Sequence, residues 1–387
     1  MKCPPHQPRR RQFLNLLPGL GLAGAPGWAR ADDPGVSADS IQIGQNITLQ
    51  NGRNRYGVEV LSGIQAHLEE VNRAGGVAGR RLVLRTLDDD NNSGQAEANA
   101  RRLVQEGAFI LFGSVEGGPS TAVMKAAVET QVPFFGPIAG APGLRRPHQP
   151  LVFPVRAEHR EEFRVLIAHG RSLGLRRVAL FHADTGVGRE HLANVEALAA
   201  EATMQFGGGV PFQGDITDAQ LDAAVASLAQ RQVDLVINHG SAGLYERLIR
   251  RARAAGSRIQ FWGVNSGSTT LAAALGPLGQ GMVFSQVVPN PRVAKSLLVR
   301  RFQAALAQFA PAVPHSYGAL EGYLTASALT AALRATGPKL SRASLLSTLA
   351  RFDTDLGGVN VRFRTGEHTG SRFVDLALVG RDGRFVQ

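Results

Sequence analysis

Residues 41–87 read IQIGQNITLQNGRNRYGVEVLSGIQAHLEEVNRAGGVAGRRLVLRTL, and the period of their apolar residues changes twice. Ile41, Ile43 and Ile47 alternate as a strand. Val58, Leu61, Ile64, Leu68 and Val71 then recur at three- and four-residue spacing, which marks one face of a helix. Gly75 and Gly76 stop that helix, because glycine takes up the left-handed backbone common just past a helix end. Leu82–Leu87 resumes as a strand. This is a strand–helix–strand unit, and its rhythm organises the rest of the chain.

The alternation continues through a helix at Glu97–Glu106, a strand at Ala108–Gly113, a helix at Ser120–Thr130 and a strand at Val132–Gly136. It restarts after Arg156. Helices at Glu161–Leu173, Glu190–Glu201 and Leu244–Ala255 alternate with strands at Arg177–His182, Val233–Asn238 and Ile259–Val264. The strands are short and bounded by Gly, Pro or Asp, as buried parallel strands are. Two successive series predict two doubly wound α/β domains. In the tail, Met282–Val288 reads as a returning strand. Helices follow near Pro291–Ala310, Tyr317–Ala335 and Ser341–Arg351, and Val359–Phe363 and Arg372–Val379 read as a terminal strand pair. Gly207-Gly208-Gly209 reads as a loop.

The 387 residues suit two domains plus a leader. The formal charge of +11 is uneven: Lys2, Arg9, Arg10, Arg11 and Arg30 lie in the first 31 residues, which contain no acid, so +6 remains on the rest. No basic stripe with interleaved aromatics and no nucleic-acid reader motif occurs. The cluster Arg247, Arg250, Arg251 and Arg253 reads as a solvated helix face. The only cysteine, Cys3, falls in the leader, so the rest has no disulfide or thiolate chemistry. Arg10-Arg11-Gln12-Phe13-Leu14, the apolar stretch Phe13–Trp28 and Ala29-Arg30-Ala31 have the order of a twin-arginine-like export signal, with cleavage expected after Ala31. After the leader no apolar run is long enough to span a bilayer.

In open parallel sheets, ligands bind beyond the carboxyl ends of the strands, where free N–H groups of helix N-termini suit a carboxylate or other acceptor. Four loops qualify: Gln50–Gly57 with Tyr56, Ser114–Pro119 with Glu116, Gly117 and Gly118, Pro137–Gly140 with Ile138 and Ala139, and Asp184–Gly188 with Val187. Catalytic patterns are missing: there is no G-x-S-x-G, H-E-x-x-H or P-loop, and the chain is not expected to be an enzyme or to carry a cofactor. Asp88-Asp89-Asp90 lacks the alternating ligands and central glycine of a calcium loop. His182 and His239 each stand alone at a strand end and read as structural, so no metal is expected.

Several stretches together resemble the leucine/isoleucine/valine-binding family of type I periplasmic solute-binding proteins. They are Ile41-Gln42-Ile43-Gly44, the run from Glu70 through Asn72, Gly75, Gly76, Val77 and Gly79 to Arg80, Asp88-Asp89, Gln131–Pro137, Val152–Arg156 and Gly357-Gly358. The likeness runs from about Ile41 to the C-terminus. It implies a type I periplasmic binding fold: two Rossmann-like lobes, a three-crossover hinge and a ligand cleft between them. Lobe 1 would be 40–155 with 287–355, and lobe 2 would be 156–286 with 356–387. It also implies a periplasmic monomer that hands a small molecule to ABC permease subunits in the inner membrane. A sensor docking on a receptor kinase is the alternative that the same fold serves.

Matched position by position, the family's carboxylate-binding hydroxyls fall on Gly117 and Gly140, its second-lobe aromatics on Val187 and Ser241, and its ammonium-binding acid on Asn265. A buried ammonium without an anion is several kcal/mol too costly. The ligand is therefore expected to be unlike leucine, or else to use Glu116 as counter-ion.

Overall fold

The computed structural model describes residues 33–214 and 216–386; the expected leader and its cleavage site lie outside the described residues. Lobe 1 begins with β1 (Ser40–Ile47), α1 (Arg55–Arg73), β2 (Arg81–Asp88), α2 (Ser93–Gln105), β3 (Ile110–Phe112), α3 (Gly117–Thr130), β4 (Phe134–Phe135) and β5 (Val152–Phe153). These strands form a parallel sheet in the order β2-β1-β3-β4-β5. Helices lie on both faces. On α1 the predicted stripe turns inward, with Ile64, Leu68 and Val71 buried beside Val60. Each such side chain contributes about 1.5–3 kcal/mol of burial. After α1, Gly76 is held at φ +75°, and a Cβ there would lie 2.0 Å from the Arg80 carbonyl oxygen. Only glycine lets this turn reverse so tightly into β2.

The chain crosses to lobe 2 for α4 (His159–Ser172), β6 (Arg177–Ala183), α5 (Gly186–Glu201), β7 (Gln205–Phe212) and α6 (Asp218–Gln230). It continues there through β8 (Leu235–His239), α7 (Ala242–Ala254), β9 (Gln260–Gly263), α8 (Ser268–Leu275) and β10 (Val283–Gln286). It returns to lobe 1 for α9 (Leu297–Phe309), α10 (Tyr317–Thr336) and α11 (Arg342–Leu349). A small antiparallel sheet follows, β11 (Asp353–Asp355), β12 (Asn360–Arg364) and β13 (Glu367–Gly370). Finally β14 (Asp375–Leu378) pairs antiparallel with β10, completing the order β14-β10-β9-β8-β6-β7. The chain thus passes between the lobes three times.

Three readings of the sequence need correction. Gly207–Gly209 is strand, not loop: it lies inside β7, at the edge of the lobe 2 sheet. Its lack of side chains is what lets it sit there, since a Cβ on Gly209 would lie 2.7 Å from the His182 ring and one on Gly207 2.8 Å from Val233. Val359–Phe363 and Arg372–Val379 do not pair with one another; the first pairs with Glu367–Gly370 and the second joins the other lobe. The lobe 2 boundary expected at 356 accordingly moves to about 372. Aromatic packing is the cause: Phe363 lies 5.4 Å from Phe153 and 6.0 Å from Phe135, which ties β12 to lobe 1.

His368 on β13 stacks on Phe153 at 4.1 Å and its Nδ1 lies 2.8 Å from the Val152 carbonyl oxygen. Burial lowers its pKa from 6.5 to about 4. The unfolded chain therefore takes up this proton near pH 6.5 and the folded chain only near 4. Stability carried by neutral His368 is full above 6.5 and is lost as the pH falls through that window. His368→Phe, which keeps the stack, should flatten the melting-temperature profile between pH 4 and 6.5; an unchanged slope would refute this assignment.

Candidate functional site

Between the lobes lies a cavity of about 130 Å³, close to the size of an engineered cavity that admits benzene. Lobe 1 contributes Tyr56, Val115, Glu116, Gly117, Ile138, Ala139 and Ala141. Lobe 2 contributes His159, Val187, His191, Asn238, His239, Gly240, Val264 and Ser266. Most of these residues follow the carboxyl ends of strands, where such sheets place ligands. A wider groove of about 740 Å³ lies at the amino ends of β6, β8 and β9, the opposite end of the sheet.

Of the residues predicted from sequence, Tyr56, Glu116, Gly117, Ile138, Ala139 and Val187 line the cavity. The other five do not. Ser114 sits behind it, its hydroxyl accepting from Ser120 Oγ (3.1 Å). A Cβ on Gly118 would point at Ser93 of α2. Gly140 is covered by His159: a Cβ there would lie 2.6 Å from the ring, and the His159 N–H donates to the Gly140 carbonyl at 3.1 Å. Ser241 is spent as the N-cap of α7, accepting from Leu244 N–H. Asn265 is buried in a network between the lobes. Asp88 and Asp89 are also spent. The former accepts from the backbone N–H groups of Leu49, Gln50, Asn51 and Asp90, and the latter from Asn46, Thr48 and the Asn91 N–H.

Among the described residues, Glu116 is the only acid lining the cavity. Its backbone has φ +67° and ψ +147° immediately before α3, a region nearly reserved for glycine that costs about 1–3 kcal/mol. Asn54, which caps α1 by accepting from Gly57 N–H, donates its Nδ2 to Glu116 Oε1 at 3.2 Å. Burial, with a smaller push from Asp89, raises the Glu116 pKa.

The network was not foreseen. Arg156, at the first crossing, donates Nη2 to Glu162 Oε2 (2.5 Å) and to Asn265 Oδ1 (3.2 Å), while its Nη1 lies 3.6 Å from Glu321 Oε1. Asn265 Nδ2 and Tyr56 Oη donate to Glu321 Oε2 at 2.9 and 2.5 Å. Ser285 Oγ and the Asn265 N–H donate to Glu162 Oε1. Tyr56 and Glu321 belong to lobe 1, Glu162, Asn265 and Ser285 to lobe 2. Arg156, Glu162 and Glu321 are all essentially buried. Burial pulls the Arg156 pKa down, but Glu162 and Glu321 outweigh it and leave it above its usual value. Burial raises Glu321, and burial together with Glu321 raises Tyr56 well above 10.

The strand-end histidine also has company. His239 lies 3.9 Å from His191 and 4.5 Å from His159, ring centre to ring centre. Burial first, and then neighbouring positive groups, lower the pKa of His159 and His191 well below 6.5; burial lowers His239 to about 4. All three stay neutral near pH 7. They come from α4, α5 and β8, with no local spacing that a sequence motif could register.

The cavity is enclosed between two lobes that the chain joins by three crossings. The family model described as "Periplasmic binding protein" matches residues 40–384, and the chain belongs to that family. Leu/Ile/Val-binding protein BraC3 of Rhizobium johnstonii is 28% identical over 243 residues, covering 58% of this chain and 64% of its own length. The chain thus spans less than two thirds of the first curated relatives it matches. Among solved structures, a substrate-binding periplasmic protein from Ralstonia solanacearum superposes with a TM-score of 0.79 at 25% identity, covering 89% of this chain and 99% of that one. A possible leucine/isoleucine/valine-binding protein from Rhodopirellula baltica gives 0.80 at 25% identity, covering 90% and 97%.

Proposed function

We propose that this chain is the substrate-capture subunit of an ABC importer, exported to the periplasm. There it closes over a small carboxylate-bearing ligand and presents it to permease subunits in the inner membrane. The observation that carries the reading is the enclosed cavity at facing strand ends, with one wall from each lobe. No described helix is long and apolar enough to cross a membrane. The N–H groups at the start of α3, and the buried Arg145 guanidinium that holds the Ala139 and Ala141 carbonyls, favour an anionic group beside this loop.

The Leu/Ile/Val specificity of the relatives is not expected to carry over. Asn265 is engaged with Arg156 and Glu321. Glu116, the one acid in the cavity wall among the described residues, is pushed toward its neutral form. An ammonium group would find no ready anion. A thermal-shift screen of amino acids against short aliphatic and aromatic acids tests this. Stabilisation by an acid without an amino group supports the reading; tight leucine or isoleucine binding would sink it.

Glu116→Gly separates strain from binding. Relief of the backbone outweighs the greater chain entropy of glycine, so the empty protein should gain up to about 1 kcal/mol. Affinity for the captured ligand should fall at least tenfold. Opposite signs in melting temperature and affinity are the expected result, and a parallel loss of both would make Glu116 merely structural.

A further inference from the structure

We propose that the cleft is a transition-metal site, in which His159, His191 and His239 bind one zinc-class divalent ion. One ring nitrogen from each of these three residues lies within 4.8 Å of the other two, and all three rings line the cavity. His191 is fully buried, and both its ring nitrogens lack any hydrogen-bond partner. Leaving polar atoms orphaned inside a protein is costly, and a metal ion that accepts the lone pair of the unprotonated nitrogen removes the part of that cost due to that atom.

The orientation of His159 points the same way. Its Nδ1 is 2.6 Å from Glu162 Oε2, so Nε2 is the nitrogen left to coordinate. A carboxylate on the far nitrogen is the usual outer support of a metal-bound imidazole, fixing its tautomer and raising its basicity. Arg156 and Ser285 in turn hold Glu162. Gly140 contributes by being small, since any side chain there would displace the His159 ring.

Zinc–nitrogen bonds of about 2.0–2.1 Å place tetrahedral ligands about 3.4 Å apart, somewhat closer than the present spread. His159 and His191 are locked by burial, whereas His239 is half-buried at the end of β8 and borders open cavity, so it is the ring that adjusts. Imidazole donors suit zinc, nickel, copper and cobalt rather than calcium or magnesium. Three neutral ligands leave the ion's charge uncompensated and a coordination position open. That position suits the carboxylate of a captured ligand, so this step builds on the capture reading while the metal site stands without it.

The test uses the protein without a histidine tag, stripped with EDTA and titrated with Co²⁺ and Zn²⁺ in the absence of any organic ligand. The expected result is one metal per chain, visible d–d bands of low-symmetry imidazole-bound Co²⁺, their bleaching by Zn²⁺, and a raised melting temperature. His191→Gln and His239→Gln should each weaken Zn²⁺ binding at least tenfold, since loss of an outer support alone costs 10–100-fold. His315→Gln, in lobe 1 and away from the cavity, should change nothing. Wild-type protein without the cobalt bands, or affinity equal in wild type and both variants, overturns the site. If a variant fails to fold, the wild-type cobalt spectrum decides alone. Screening organic ligands on both the EDTA-stripped and the Zn²⁺-loaded protein tests capture separately: no binding to either form overturns capture while the cobalt result stands, and binding to the stripped form without cobalt bands overturns the metal site alone.

Discussion

Arg156→Ala is expected to cost about 3–5 kcal/mol in denaturant unfolding, the loss seen when one partner of a buried ion pair is removed. The Glu162 and Glu321 side chains would remain, both essentially unexposed and without the guanidinium that bridges them. Glu321→Gln should cost less, because Arg156 stays paired with Glu162 and the amide oxygen can still accept from Tyr56 and Asn265. A carboxyl group raised above its unfolded value of 4.5 supports the fold below 4.5 and loses that support as the pH climbs through its folded value. The gap between wild type and Arg156→Ala should accordingly widen from acid toward neutral pH. A gap that stays constant would mean that the arginine acts by packing alone. The network also spans the lobes, so the variant should open more readily and bind its ligand more weakly.

The second large effect concerns helix contact. A Cβ on Gly63 would lie 1.8 Å from the Ala319 carbonyl oxygen, and one on Gly322 2.1 Å from the Val60 carbonyl oxygen. Helices α1 and α10 therefore touch backbone to backbone, which only glycine permits at either place. Gly63→Ala or Gly322→Ala must push them apart, at about 1–3 kcal/mol or more for forced overpacking. Because one separation serves both residues, the double variant should lose less than the sum of the singles. The change would also reach the cleft. Tyr56 begins α1 and bonds Glu321 on α10, so prising the helices apart stretches the bond that ties lobe 1 to the network. Thermal melts of both singles and the double decide this; unchanged melting temperatures would show that the helices have slack.

Periodicity carried most of the architecture. The α1 stripe, the glycine stop and the short apolar strands were legible because each is a local pattern. The tail was not. Nothing in Val359–Phe363 reveals that Phe363 packs on Phe153 rather than pairing with Arg372–Val379, since that choice is made by residues far away in the chain. The site divides the same way. Loops after strands pointed to Tyr56, Glu116 and Ile138, but Glu321 lies mid-helix among apolar neighbours, and the three histidines meet only in the folded chain. Gly117 and Gly140 were read as missing hydroxyls; Gly140 is better understood as the space His159 occupies.

The glycine-rich edge strand has one more effect. β7 is an outer strand of the lobe 2 sheet, the kind of border another chain could extend. Its pairing with β6 is interrupted between Val178 and Leu180, Gly208 is turned to φ +85°, and Arg231 Nη1 occupies the Gly207 carbonyl oxygen at 2.6 Å. Pro211 removes a further donor. A neighbouring molecule would meet a kinked, partly occupied border with too few free groups in register to grow a shared sheet. The feature that looks like a weak point within one molecule makes this border a poor template for a second one.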